Sequence, residues 1–256
     1  MLVTVADVAT HVVPGAQPPI VFIAQLGGAG NGWQPVLDRL VTDSATIVYD
    51  RPGTGDAPPR PAPNPPLPYS AFAKELATVL DEHNIVEPAV IVGHSIGGHI
   101  ARAFAGLWPD RCAGLVFVDA SIPQFKLWWR DTEPVVDGDA SAGATEFDIL
   151  AGEVEILSAA VPTVPTVVIT RRRRWWMAGK TMPHPAIDDL WRVSQQLLAE
   201  QHNALLIVAE NAGHQIPNEA PGLVASAVDA VVRAARTGTA PIVDGACPRV
   251  LTRPAP

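Results

Sequence analysis

Cysteine is scarce in this sequence, and motifs that bind metals are missing. The 256 residues include two cysteines, Cys112 and Cys247, which stand far apart. This usage is typical of a reduced intracellular protein with two structural thiols, not of a disulfide framework. The seven histidines show no His-Glu-x-x-His or similar spacing. The sequence therefore predicts no metal site and no cofactor.

Long apolar runs and an excess of positive charge are also lacking. No apolar stretch approaches the roughly 18 residues that a membrane-spanning helix needs, and residues 1–7 lack the basic start of a secretory signal. The formal charge of −8 disfavours nucleic acid as a partner. We therefore expect a cytoplasmic protein that acts on a small-molecule substrate and binds neither nucleic acid nor membrane. The oligomeric state stays open.

The sequence does contain a regular alternation of strand-like and helix-like segments. Short apolar runs predict buried strands at residues 20–23, 46–49, 89–92, 115–118, 166–170 and 205–208, after a strand or hairpin within 2–13. Helical spacing is found at residues 33–41, 69–83, 100–105, 187–201 and 223–235. This alternation predicts one α/β domain over residues 1–256, with a mostly parallel sheet covered by helices on both faces.

Two segments depart from this rhythm. Residues 121–162 lie between two predicted strands and are expected to form a small cap insert. Residues 237–256 lack periodicity and are expected to form a mobile tail. The basic run at residues 171–174 is interpreted as a solvated loop, with attraction of an anionic substrate or a carrier protein as the alternative.

The most specific motif is Gly-His-Ser-Ile-Gly, from Gly93 to Gly97. A serine flanked by glycines at two residues on either side, on a strand-to-helix turn, is typical of a nucleophile elbow. Glycine is needed at both flanks because a Cβ there would collide in so tight a turn. The motif predicts that Ser95 is a nucleophile. It also predicts that the Ile96 N–H, at the start of the next helix, points at the reacting carbonyl oxygen.

An attacking serine needs a general base, and His214 is the candidate. It follows the last predicted strand in a turn, where a side chain can reach the C-terminal edge of a parallel sheet. The alternative is a loop histidine with a capping role. Two histidines flank the serine. We expect His94 to face away from the site and His99 to pack within the helix.

With these motifs the chain resembles the α/β-hydrolases. Within them it resembles the small serine-hydrolase branch of esterases, lactonases and cofactor-free haloperoxidase-type enzymes. The resemblance covers about residues 3–120 and 163–235. It rests on the elbow, on Asp-Arg-Pro-Gly-Thr-Gly from Asp50 to Gly55, on Gly213-His214 and on Asn-Glu-Ala-Pro at residues 218–221. It implies the α/β-hydrolase fold and a triad in the chain order serine, acid, histidine.

The first departure from the family pattern concerns the oxyanion hole. The family usually has His-Gly after the strand that ends near Ala24, where this chain has Ala24 and Gln25. The resemblance implies that the next N–H, that of Leu26, serves the oxyanion hole together with that of Ile96. A changed side chain leaves the Leu26 N–H in place. Gln25 either perturbs the loop or supplies a further donor.

The second departure concerns the acid. Family members mostly carry it after the next-to-last strand, where this chain has arginines at residues 171–174. Asp119 directly follows the preceding strand, a position that some relatives use. We predict that Asp119 holds the imidazole of His214, with a turn-capping role as the alternative. Glu210 and Asp188 are the reserve candidates.

Aromatic residues of the insert indicate the kind of substrate. Trp128 and Trp129, with Phe147, are expected to roof an apolar pocket to which Gln25 contributes, and packing of the insert onto the body is the alternative. The leading hypothesis is a serine hydrolase that cleaves an ester, lactone, thioester or amide of a small apolar substrate through an acyl-enzyme. The motifs leave open acyl transfer, C–C bond cleavage and a ligand-binding receptor on the same scaffold.

Overall fold

A computed structural model describes residues 8–61, 65–123, 135–137, 145–172 and 185–243. The strands are β1 Ala9–Val13, β2 Ala16–Ile23, β3 Ser44–Asp50, β4 Ala89–His94, β5 Cys112–Val118, β6 Val135–Asp137, β7 Thr145–Phe147, β8 Thr166–Arg171 and β9 Leu205–Ala209. The helices are α1 Gln34–Leu37, α2 Tyr69–Glu82, α3 Gly97–Leu107, α4 Ile149–Ser158, α5 Pro185–Gln201, α6 Ile216–Glu219 and α7 Pro221–Thr237. Short 3-10 turns occur at Gly30–Trp33 and Pro109–Arg111.

Among the described residues, seven strands form the main sheet in the order β1-β3-β2-β4-β5-β8-β9. Only the edge pair β1–β3 is antiparallel, and the other neighbours run parallel. Parallel strands require crossover helices, which cover both faces, so central strands such as β4 are buried along their whole length. The prediction of a mostly parallel α/β sheet is confirmed. No helix within the described ranges combines the length and apolarity needed to cross a membrane.

The core occupies both faces of this sheet, and β2 shows how. Successive side chains of a strand point to opposite faces. Val21 and Ile23 therefore pack with the cluster that contains Phe72 and Phe104 of α2 and α3. Ile20 and its neighbour Phe22 join the opposite cluster, which contains α1 and α7 side chains. Because both faces of such a strand are buried, its residues form an unbroken apolar run in the sequence.

The helix predicted at residues 33–41 is shorter in the structure, where α1 has about one turn. The Asp229 carboxylate of α7 accepts hydrogen bonds from the backbone N–H groups of Val41, at 3.1 Å, and Thr42, at 3.0 Å. These bonds hold the chain in a loop that leads directly into β3. Tertiary contact therefore overrides the helical spacing.

The segment between β5 and β8 contains the antiparallel pair β6–β7 and the helix α4. The Phe147 ring stacks on Phe72 of α2, with centroids 4.3 Å apart, and Phe147 is buried. The expectation that Phe147 roofs a pocket is therefore wrong, because its ring is part of the core. Trp128 and Trp129 lie outside the described residues.

The C-terminal segment is described only in part. Thr237 is the last residue of α7, and Gly238 ends the helix in the left-handed conformation with φ 68°. Residues 239–243 have no regular secondary structure. The rest of the predicted tail, from residue 244, lies outside the described residues.

Candidate active site

Strand β4 ends in a sharp turn at Ser95. Its backbone φ is 54°, a left-handed value that is uncommon for a residue with a side chain. Backbone hydrogen bonds maintain this conformation. The Ser95 N–H donates to Val118 O at 3.1 Å, and Ser95 O accepts from the N–H groups of Gly98, at 3.0 Å, and Ser121, at 2.9 Å. Backbone strain that the surrounding structure maintains is typical of functional turns. In this turn the Ser95 side chain is partly exposed.

The flanking glycines allow this turn to form. A Cβ on Gly93 would lie 2.5 Å from Gly97 O, and a Cβ on Gly97 would lie 2.5 Å from Ile23 O and 2.9 Å from Ala24 O. The elbow therefore packs directly against the end of β2. This contact brings Ile96, which precedes the first turn of α3, close to the loop that follows β2.

Replacing Gly93 by alanine should break this arrangement. The new Cβ meets rigid backbone, so we expect a loss in the free energy of unfolding of about 3 kcal/mol and a fall in turnover on the order of 100-fold from displacement of Ser95. Urea unfolding and ester turnover measure both. Gly222→Ala is the matched control, because among the described residues outside its own helix turn only Arg39 Cδ lies within 4 Å, at 3.9 Å, of its new Cβ. Equal behaviour of the two variants would contradict this account.

Asp119 and His214 meet at the same edge of the sheet. Asp119 directly follows β5, with φ 40°, and His214 lies in the loop between β9 and α6. His214 Nδ1 is 2.7 Å from Asp119 Oδ2. The structure thus brings together two residues that stand 95 positions apart and that the sequence analysis paired. A proton on Nδ1 leaves Nε2 of the neutral ring as an acceptor.

The Asp119 carboxylate is fully buried in a cage of donors. Oδ1 accepts from Trp191 Nε1 at 2.8 Å, Arg171 N at 3.2 Å and Thr170 Oγ1 at 3.3 Å, and Oδ2 accepts from Arg171 Nη1 at 2.7 Å. Burial acts to raise the pKa of this carboxyl. The hydrogen bond with His214 and the positive charge of Arg171 outweigh it, so the pKa of Asp119 lies below its usual value. The group is ionised at neutral pH.

Arg171 has a role that the sequence analysis missed. As the last residue of β8 it is 3% exposed, and its Nη2 lies 3.2 Å from Asp188 Oδ1. Its guanidinium also stacks over the Trp191 ring, 4.6 Å from the centroid. The solvated-loop interpretation is therefore wrong for Arg171, because the strand directs this side chain inward at Asp119. The sequence position of Arg171 could have indicated this role. Arg171 ends the buried strand β8, which lies next to β5, the strand that Asp119 follows.

The other members of the basic run differ from Arg171. Arg172 is exposed, and its Nε lies 3.6 Å from Glu210 Oε2. The reserve acids thus contact arginines, Asp188 contacting Arg171 and Glu210 contacting Arg172. The rest of the run, residues 173–174, lies outside the described residues.

His94, which we expected to face away from the site, packs against it instead. Its Nε2 is 2.8 Å from His214 O, and the two imidazole rings are 5.0 Å apart. Burial lowers the pKa of His94 to about 3, so the neutral ring can donate its Nε2–H to that carbonyl. His94 therefore supports the histidine loop. His99 is buried and stacks on Tyr69 with centroids 4.5 Å apart, as the packing interpretation predicted.

The loop after β2 carries the backbone of Leu26. Gln25 O accepts from Gly28 N at 3.0 Å, which closes a turn with Gly27 at φ 63°. The hydrogen bonds between described residues leave the N–H groups of Leu26 and Ile96, and also the Ser95 hydroxyl, without a partner. These groups keep their donor capacity at the carboxyl edge of β2 and β4.

The Gln25 side chain crosses to Gln215, the residue after His214. Gln215 Nε2 donates to Gln25 Oε1 at 2.9 Å, and Gln25 Nε2 donates to Gln215 Oε1 at 3.2 Å. A cavity of about 50 Å³ lies beside the pair, with Trp33 and Asn218 in its lining. Gln25 therefore joins two loops of the site through its amide.

Within the described parts of the chain, no group of three or more His, Cys, Asp or Glu could hold a metal ion.

A mostly parallel sheet, a serine on a strained strand-to-helix turn and a histidine loop after the last strand define an α/β-hydrolase. The family model of the alpha/beta hydrolase fold matches residues 18–144, about half of the chain. The chain belongs to the α/β-hydrolase fold superfamily.

Similar proteins include both curated relatives and solved structures. A protein of Azorhizobium caulinodans named "Putative carbamate hydrolase RutD" is 34% identical over 111 residues, which are 42% of this chain and 39% of that relative. The match thus spans about two fifths of the relative's length. A thermophilic esterase from Thermogutta terrifontis superposes with a TM-score of 0.62 at 18% identity, covering 90% of this chain and 94% of that one. Est816, an N-acyl homoserine lactone degrading enzyme, superposes with a TM-score of 0.58 at 19% identity, covering 84% and 92%. At these identities the solved structures demonstrate a shared fold.

Proposed function

We propose that the protein is a serine hydrolase that works through an acyl-enzyme. The observation that carries this proposal is the Asp119–His214 hydrogen bond of 2.7 Å at the sheet edge where Ser95 stands on its strained turn. A nucleophile, a base and an ionised group that orients the base are the parts that acyl transfer through a serine requires.

The first half of the reaction forms the acyl-enzyme. Ser95 Oγ attacks the substrate carbonyl while its proton passes to His214 Nε2. Asp119 stabilises the resulting imidazolium through the Nδ1–H bond. The imidazolium then protonates the leaving group. The hydrogen bond between serine and histidine often forms or shortens only in the productive complex with substrate.

The second half clears the acyl group. His214 removes a proton from water, the hydroxide attacks the ester of Ser95, and Ser95 leaves with the proton that the histidine returns. In both halves the negative oxygen accepts from the N–H groups of Leu26 and Ile96. The α3 dipole adds to the field at Ile96, because Ile96 precedes its first turn.

The substrate class in this proposal is a small, largely apolar ester, lactone or thioester. The similarity to proteins named as carbamate hydrolases adds carbamates as a second class, since a carbamate carbonyl can be attacked by the same serine. A panel of esters, thioesters, lactones and carbamates of graded acyl length distinguishes these classes.

A fluorophosphonate followed by intact mass tests the reaction class. We expect one adduct on the wild-type protein, and none on Ser95→Ala, because only an activated serine reacts. Ser158→Ala is the matched control, since its hydroxyl bonds the helix carbonyls of Val154 and Glu155, and it should label like the wild type. Folded wild-type protein that gains no adduct, or a Ser95→Ala variant that still gains one, would refute the proposal.

A further inference from the structure

Arg51 and Asp137 form a buried ion pair beside the loop that carries Leu26. Arg51 directly follows β3 and is 1% exposed, while Asp137 ends β6 and is 0% exposed. Arg51 Nε donates to Asp137 Oδ2 at 2.6 Å and Nη2 donates to Oδ1 at 2.9 Å, so the contact is bidentate. A buried ion pair contributes little net stability once its desolvation is counted. Its other contacts therefore indicate what it does.

Those contacts are with the backbone of the Leu26 loop. Arg51 Nη1 donates to Ala24 O at 2.9 Å, and Nη2 donates to Gln25 O at 2.7 Å. Asp137 Oδ1 accepts from Gly27 N at 2.7 Å. The pair thus holds backbone groups on both sides of the Leu26 N–H.

The contact between Arg51 and the Gln25 carbonyl determines the direction of the Leu26 N–H, because of the geometry of the peptide bond. The Gln25 carbonyl and the Leu26 N–H belong to the same planar peptide unit, in which C=O and N–H point in opposite directions. Anchoring the Gln25 oxygen on Arg51 therefore sets the direction of the Leu26 N–H. The positive charge at that oxygen also polarises the peptide and strengthens its N–H as a donor.

We propose that the Arg51–Asp137 pair positions the Leu26 N–H for the developing oxyanion, an inference that rests on the serine-hydrolase function proposed above. Both residues are positioning residues, because they act through the loop backbone and not on the substrate. Their loss lowers the rate of the chemical step more than it changes substrate binding.

The same pair couples the oxyanion donor to the segment between β5 and β8. Asp137 is the cross-strand partner of Thr145 in β7. Thr145 Oγ1 accepts from Arg60 Nε at 2.8 Å, and Arg60 also forms an ion pair with the buried Glu75 of α2. Two arginines of the loop between β3 and α2 thus hold one end of the β6–β7 pair. The placement of this strand pair therefore affects the geometry of the oxyanion hole.

The test replaces both charges at once. The double variant Arg51→Met with Asp137→Leu leaves no unpaired buried charge, so it is expected to fold. With p-nitrophenyl acetate we expect kcat to fall by about 100-fold and KM to change little, the size of effect seen when one oxyanion donor is lost. The corresponding thiono ester, whose sulfur accepts hydrogen bonds weakly, should lose far less. The ratio of oxo-ester to thiono-ester turnover should therefore drop.

The same substitutions at the exposed Arg236–Asp43 pair are the matched control and should leave kcat and the ratio unchanged. Should the double variant not fold, Arg51→Lys replaces it, since lysine keeps the charge but lacks the fork that reaches both carbonyls. It should show the same lowered ratio.

Three results would overturn the inference. A folded double variant with wild-type kcat, or with a lower kcat but an unchanged ratio, refutes the positioning of the Leu26 N–H by the pair and leaves the serine mechanism intact. A Ser95→Ala variant that keeps wild-type turnover refutes the proposed function, and the inference fails with it.

Discussion

Replacing Asp119 by asparagine should reduce kcat about ten-thousand-fold, because the amide favours the wrong imidazole tautomer and no longer stabilises the imidazolium. The variant is expected to fold, because Arg171 keeps Asp188 as a counter-charge. Trp191 and Thr170 can still donate to the amide oxygen. Ester turnover measures the effect, and circular dichroism with urea unfolding checks the fold.

The reserve acid Glu210 provides the matched control. Glu210→Gln makes the same carboxylate-to-amide change in an exposed contact with Arg172, and we expect it to retain wild-type kcat. A folded Asp119→Asn protein with near-normal kcat would remove Asp119 from the triad. A large loss in Glu210→Gln instead would move the role of the acid to that residue.

Mild acid should destabilise the protein strongly, because three histidines are buried in the neutral form. Burial lowers the pKa of His94 to about 3 and that of His202 to about 4, and it holds the pKa of His99 well below its usual value. In the unfolded chain all three titrate at about pH 6.5. Below that pH the unfolded state binds more protons, so stability falls as the pH falls from the unfolded pKa towards each folded pKa.

Each of these histidines contributes up to about 1.4 kcal/mol per pH unit to that slope. Glu75 works in the opposite direction, because burial raises the pKa of its carboxyl and the folded state then binds one proton more readily. The net effect is still a loss of several kcal/mol between about pH 6.5 and pH 4.5. Urea midpoints measured across this range test it, and a midpoint that stays constant would disprove it.

His202 allows the origin of the slope to be tested separately. Its ring packs edge-on against Phe117 with centroids 5.0 Å apart, and neither ring nitrogen meets a hydrogen-bond partner among the described residues. His202→Phe should therefore preserve stability at neutral pH and flatten the acid slope by about 1.4 kcal/mol per pH unit. His83→Gln, at an exposed histidine, should leave the slope unchanged. An unaltered slope in His202→Phe would show that burial of this ring does not cause the acid sensitivity.

Most of the fold could be predicted from the sequence, because its signals are local. An apolar run such as residues 89–92 forms a strand that must be buried on both faces, and the spacing at residues 69–83 becomes α2, Tyr69–Glu82. The elbow could be predicted for the same reason, since two glycines and a serine set the turn within five residues. The error at α1 arose because the Asp229 carboxylate, far along the chain, holds Val41 and Thr42 in a loop.

The site shows the same division between local and distant contacts. The sequence by itself determined the strand-to-helix turn at Ser95, the strands that end at the site and a short choice of partners for that serine. Only the tertiary structure decided that Asp119 contacts His214, that Arg171 turns inward to hold the acid, and that His94 supports the histidine loop. The reason is physical. Spacing along a chain specifies which side of an element a residue occupies, whereas the order of strands in the sheet specifies which residues meet.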